Sequence, residues 1–303
     1  MMVPVYSHIA ANKRRTFFLF FLFALLFAAA GYLLGLYIEE PVAGVVLAGI
    51  LFIVMTLISY YGGQGVVTSM AGARPASRER EPYLYNTVEA LSIAAGRPVP
   101  KLYIIETDVP NAFAAGRNPK HAVIAVTRGL LNRLNRLELE GVIAHEMAHI
   151  NNYDILLATV AMVLAGTIVF ISYTVRRMFW FGGGRSRRRS GGQAQLLALL
   201  AIVFLAILAP LFAQLLKFAI SRQREFLADA TAADFTGYPE GLASALEKIS
   251  AAQVPDSPID NEALRGLYIV NPALGAHEAI KRASILFSTH PPTSERIKRL
   301  RSM

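Results

Sequence analysis

Residues Gly141–Asp154 read GVIAHEMAHINNYD, and the reading of this stretch decides the fold. It contains His145-Glu146-Met147-Ala148-His149, the H-E-x-x-H pattern. On a helix, residues four apart lie one above the other on a single face. Two imidazoles so placed can grip one zinc ion, with Glu146 beside them to work on a water. Leu137, Leu139, Val142, Ile143, Met147 and Ile150 supply the apolar stripe that holds such a helix in a core.

Composition sets the surroundings of that helix. Of 303 residues, 54% are hydrophobic, and mean hydropathy is +0.42, too apolar for an ordinary soluble domain. There is no Cys, so a metal site must use His and carboxylates. It also fits a domain facing a reducing compartment. The net charge is +9. Lys13, Arg14 and Arg15 carry three of those charges, and Arg176, Arg177, Arg185, Arg187, Arg188 and Arg189 six more; the other 21 basic residues match the 21 acidic ones. The excess therefore flanks apolar runs, which points to lipid headgroups rather than nucleic acid.

Four uncharged runs are long enough to cross a bilayer: Phe17–Ile38, Val42–Tyr61, Ile155–Val175 and Leu196–Leu216. The first outlasts a signal peptide and is followed at once by the second, which predicts an uncleaved anchor. Basic residues before the first run and none in the Glu39-Glu40-Pro41 turn place the N-terminus in the cytoplasm. The predicted organisation is then residues 1–61 with membrane helices 17–38 and 42–61, and a first domain half at 62–154. A hydrophobic hairpin follows at 155–218, with helices 155–175 and 196–218 around an Arg/Gly-rich loop at 176–195. A second half occupies 219–303. Within the halves, Glu81–Ala95, Arg128–Arg136, Ser221–Ala233, Gly241–Ile249, Ala276–Phe287 and Thr293–Leu300 read as helices. Lys101–Glu106 and His121–Thr127 read as strands, with Asn111–Ala114 as a third. The fold class expected is a mostly α integral membrane protein with a small β-sheet.

A hydrolytic zinc site takes three protein ligands, so one more is needed. His149 lies just before the third apolar run and Glu225 just after the fourth. An antiparallel helical pair would bring both to similar height above the membrane. Asp229, at i+4 from Glu225, could orient a ligating imidazole through its other N–H. Read alone, Glu225 and Asp229 are equally juxtamembrane carboxylates paired with Arg222 and Arg224. His8, His121 and His277 have no partner at ligand spacing, and Tyr153 and Asp154 read as markers of the helix entering the membrane.

HEMAHINNYD and SRQREFLADA, after two apolar spans and around a third and fourth, resemble the HtpX-type membrane zinc endopeptidases. The resemblance covers nearly the whole chain. It implies a gluzincin-like peptidase domain, one Zn²⁺ held by His145, His149 and Glu225, and Glu146 as catalytic base. It also implies that Asn111-Ala112-Phe113 edges the substrate cleft. His290 would stabilise the oxyanion, with Arg296 its competitor. The substrates would be misfolded or damaged membrane proteins, bound through backbone pairing at a strand edge, at the cytoplasmic face of the cell membrane. Loop 182–192 departs from the family pattern. The rival readings are a prenyl-protein (CAAX-type) processing protease, a non-catalytic zinc-binding membrane scaffold, and a lipid- or nucleic-acid-binding module acting through loop 176–192. The intact Glu146 argues against the scaffold, since a structural zinc needs no base.

Overall fold

The computed structural model describes residues 5–37, 39–164, 222–252, 269 and 291–303. Helix α1 (Val5–Tyr37) turns back at Glu39-Glu40 into α2 (Pro41–Leu57), with Pro41 at its first position, where a missing N–H costs no hydrogen bond. The two helices approach closely at their turn, where a Cβ on Gly44 would meet Gly31 O at 2.2 Å. α2 does not end where the composition changes. A π-helical turn, Ile58–Gly62, carries it into α3 (Gly63–Met70), so one continuous apolar helix runs Pro41–Met70. The helical boundary expected at Tyr61 falls inside this helix, which continues through Gly62 and Gly63.

Beyond this pair lies a four-stranded sheet flanked by helices. Strands β1 (Arg74–Pro75), β2 (Lys101–Ile105), β3 (Ala112–Gly116) and β4 (Ala122–Thr127) lie in the order β1-β2-β4-β3. β2 and β4 are parallel and the outer pairings antiparallel. β1, two residues long, went unread in the sequence. Helix α4 (Pro82–Ala95) closes on Gly96 at φ +61, a left-handed cap that glycine adopts without Cβ strain.

The segment read as one helix, Arg128–Arg136, is two elements. α5 (Arg128–Arg133) stops, and Asn135 opens α6 (Arg136–Asn151). The Asn135 side chain accepts the Glu138 N–H, and the Glu138 carboxylate accepts the Asn135 N–H. This reciprocal cap fixes where the H-E-x-x-H helix begins. Glu138 also accepts from Ser244 and Lys248 of the later helix α9 (Pro239–Ala251). α6 and α9 touch at Gly141, where a Cβ would sit 2.5 Å from the Leu242 nitrogen.

After α6 the chain turns through Tyr153 (φ +60) into α7 (described as Asp154–Leu164), bent 86° from α6. α8 (Arg222–Thr236) and α10 (Thr293–Leu300) complete the described domain. The core gathers α4, the sheet, α6, α8 and α9 around Ile124, Val142, Ile143 and Met147, all wholly buried. Among the described residues two helices are long and apolar enough to cross a membrane, Ala10–Tyr32 and Pro41–Met70. The bent α6–α7 pair passes that test only when joined. Of the four hydrophobic helices expected, the third is seen only as α7. The fourth, with loop 182–192, helix Ala276–Phe287 and loop Val254–Asp260, lies outside the described residues.

Candidate metal centre

α6 presents His145 and His149 one turn apart, and α8 brings Glu225 against them. Their donor atoms lie within 4.8 Å of one another. His145 Nε2 and His149 Nε2 are 3.2 Å apart, and each is 3.6 Å from a different oxygen of Glu225. The 3.2 Å between the two nitrogens would subtend about 100° at an ion about 2.0–2.1 Å from both, near the tetrahedral value, with Glu225 on the same side of the rings.

Each ring is turned by its other nitrogen. His145 Nδ1–H donates to Asp229 Oδ1 at 3.0 Å, and His149 Nδ1–H to Asp154 Oδ2 at 3.0 Å. Both bonds leave Nε2 as the lone-pair nitrogen facing the shared centre. Arg296 of α10 grips Asp229 with two bonds, Nε to Oδ2 at 2.9 Å and Nη2 to Oδ1 at 2.7 Å. Its Nη1 donates to the Ile269 carbonyl at 3.1 Å. On the other side, Asn12 of α1 donates to Asp154 Oδ1 at 2.7 Å and to the Asn152 carbonyl at 3.2 Å. Arg224 Nη1 lies 3.5 Å from Asp154 and donates to Asn12 Oδ1 at 3.4 Å. The first membrane helix is thus hydrogen-bonded, through one carboxylate, to a metal-site histidine.

The buried charge is as informative as the distances. Among the described residues, Glu146, Asp154, Glu225 and Asp229 are buried here, as are the side chains of Arg224 and Arg296. Such a concentration of buried carboxylates around two imidazoles suits a bound cation. Burial works against charging His149, yet the carboxylates of Glu225, Asp154 and Glu146 outweigh it and push the imidazole up to about 9. The site therefore pulls in positive charge. Burial likewise opposes ionisation of Asp229, but Arg296 and His145 overcome it and hold the carboxyl down at about 2. That carboxylate stays charged, and its contribution to stability is complete above about pH 4 and lost only as pH falls towards 2.

Several expected site residues have different surroundings from those the sequence suggested. Asp154, read as a membrane-entry marker, is the partner of His149. Arg296 is spent on Asp229, with 1% exposure, rather than free to meet substrate. Phe113 is wholly buried between Val67 and Met162, so its side chain is core. Among the described residues β3 lies at the edge of the sheet, and the buried side chains of Ala112 and Phe113 leave only their backbone to face it. At Ala112 the carbonyl already accepts the Ile269 N–H at 3.3 Å. Asn111 is held by Thr127, whose hydroxyl accepts its N–H at 2.8 Å. His290 lies outside the described residues. Asn12 has no expected role in the sequence, where its one signal is a carboxamide amid basic residues at the start of an apolar helix. Arg224, expected beside Glu225 and Asp229, lies against Asp154 and Asn12.

Replacing Asp154 with Ala is expected to lower zinc affinity about 10–100-fold. Asn12→Ala should cause a smaller loss in the same direction. Competition against a chromogenic chelator measures both, and an unchanged affinity in Asp154→Ala would contradict the bond to His149.

Paired histidines on one helix, a carboxylate from a second and a buried acid at the intervening position define a metallopeptidase. Comparison with known proteins carries this further. The sequence profile of peptidase family M48 matches residues 78–303. Relatives named Protease HtpX homolog include one from Dictyoglomus thermophilum, 47% identical over 98% of this chain and 94% of its own. Another, from Streptococcus gordonii, is 46% identical over 99% of this chain and 100% of its own. The crystal structure of S. mikatae Ste24p aligns with a TM-score of 0.49 at 18% identity, covering 97% of this chain and 67% of that chain, a likeness too remote to carry an argument. The chain belongs to peptidase family M48, and is a membrane-bound metallopeptidase.

Proposed function

We propose that this protein is a zinc-dependent endopeptidase of the cytoplasmic membrane that cuts misfolded or damaged membrane proteins on the cytoplasmic side. Its metal would be held by His145, His149 and Glu225. The observation that supports this is the triangle of two imidazole nitrogens and a carboxylate oxygen, set among the buried carboxylates Glu146, Asp154 and Asp229. Zinc, when bound, supplies a Lewis acid that acidifies water and polarises a peptide carbonyl.

The remaining work falls to the chain. Glu146 takes the proton from the attacking water and returns it to the departing amine. Asp229 and Asp154 hold the imidazoles in one tautomer, and Arg296 keeps Asp229 ionised. Because Arg296 is bound by Asp229 through two hydrogen bonds, His290, six residues earlier in the sequence, is the preferred donor to the oxyanion. An extended substrate would pair with the β3 edge near Asn111-Ala112-Phe113, so recognition would rest on backbone rather than sequence. The halves 62–154 and 219–303 would form one peptidase domain joined by the hairpin 155–218. Basic residues Lys13, Arg14 and Arg15 before the first span support a cytoplasmic position for this domain.

Protein purified in detergent should degrade casein and a destabilised membrane protein. A zinc chelator should stop this, and added zinc should restore it. Cleavage confined to prenylated peptides would overturn the quality-control reading in favour of prenyl-protein processing.

A further inference from the structure

A cavity of about 790 Å³ lies beside the N-terminal end of α1, and none of the metal-site donors or the carboxylates around them lines it. Four cationic side chains do: Lys13, Arg97, Arg117 and Lys120. No Asp or Glu is among its described lining residues, and none of the four forms an ion pair among the described residues. Arg117 stacks over Tyr61 at 4.7 Å and Tyr60 at 5.7 Å, which holds the guanidinium in place. Its Nε is buried with no hydrogen-bond partner among the described residues. Lys13 Nζ sits 5.2 Å from the centre of the Tyr153 ring.

The cavity is not polar throughout, because Phe17, Phe20 and Leu156 line it too. Its depth follows from the helices. Phe20 on α1 and Tyr60 in the π-helical turn each lie about 29 Å along their helices from the Glu39-Glu40 turn, at ~1.5 Å per residue. That is the thickness of the hydrocarbon layer, about 30 Å, so the cavity opens where the apolar interior meets the headgroups. Arg97 donates to the Asn151 carboxamide and Arg117 lies against a His121 ring nitrogen. Cations without an ion pair among the described residues, tyrosines and an apolar wall thus meet at that depth, and they match one chemistry.

We propose that this cavity binds an anionic phospholipid. The headgroup phosphate lies among Lys13, Arg97, Arg117 and Lys120, and an acyl chain follows Phe17, Phe20 and Leu156. A free inorganic anion would use the cations and leave the apolar wall bare. The lipid would touch Tyr153, the left-handed residue directly before Asp154, and so bear on the turn that places the partner of His149.

Native mass spectrometry of the detergent-purified, full-length protein tests this, using phosphatidylglycerol and phosphatidylcholine of equal chain length. One phosphatidylglycerol should be retained per chain, at least about fivefold more than phosphatidylcholine. The exposed double variant Lys13→Gln/Lys120→Gln should lose that preference. Arg14→Gln/Arg15→Gln, which removes two neighbouring cations outside the cavity lining, should keep it, and bound zinc reports that each variant is folded. Equal retention of both lipids, or the same loss in both variants, would overturn the site. Displacement of phosphatidylglycerol by millimolar inorganic phosphate would assign the cations to a free anion and overturn the lipid.

Discussion

Glu146→Gln should retain a full complement of metal and lose peptide cleavage by about 10²–10⁴-fold, the range general acid–base catalysis supplies. Gln matches Glu in shape, so α6 and its packing are undisturbed, but it cannot take a proton from water or pass one on. Glu146 is 3% exposed and its charge acts on both His149 and Arg296, which places it at the metal centre rather than on the outer face of the helix. The change should appear in kcat, because Glu146 does not ligate and substrate binding rests elsewhere. Metal content by mass spectrometry, read beside casein cleavage, separates loss of the base from loss of the ion. A variant that cleaves at the wild-type rate would show that the base lies elsewhere.

The second large effect concerns Glu225. Glu225→Ala removes one of three donors and one of the four buried carboxylates, so the site loses geometry and charge complementarity together. Bound zinc should fall below about one tenth of an equivalent after dialysis, with cleavage at background. Arg296, 4.0 Å from Glu225 at its Nη1 and 3.4 Å from His145 at its Nη2, would then face the metal site with less negative charge beside it. That penalises a dication further. Glu225→Gln separates the two effects, because it keeps an oxygen donor while removing the charge, and should show intermediate metal retention. Equal retention in both variants would mean that charge does not matter at this position.

How much of this could be read from the chain depends on how local each signal is. His145 and His149 follow from helical periodicity, and Asp229 from its i+4 spacing to Glu225, because a helix converts sequence interval into direction. Asp154 defeats the same logic. Five residues after His149 on an unbroken helix, it would point away. It reaches the ring because the chain turns at Tyr153 and restarts 86° off axis. Asn12 pairs with a residue 142 positions away, and nothing in either neighbourhood foretells it. The split between α5 and α6 was legible in principle, since Asn135 and Glu138 form a capping box, but Leu134 and Leu137 extend the apolar pattern across the break. At Gly62-Gly63 the reverse occurs: the sequence suggests an end, and a π-helical turn carries the helix on to Met70.

A carboxylate from one helix is expected to complete a metal site begun by two histidines on another. X-ray absorption at the zinc edge of the purified protein measures this directly. Two imidazole nitrogens at about 2.0–2.1 Å with oxygen donors filling the remaining positions, and loss of that spectrum in Glu225→Ala, are the predicted results. A zinc shell of the same composition and distances in Glu225→Ala as in the wild type would contradict it.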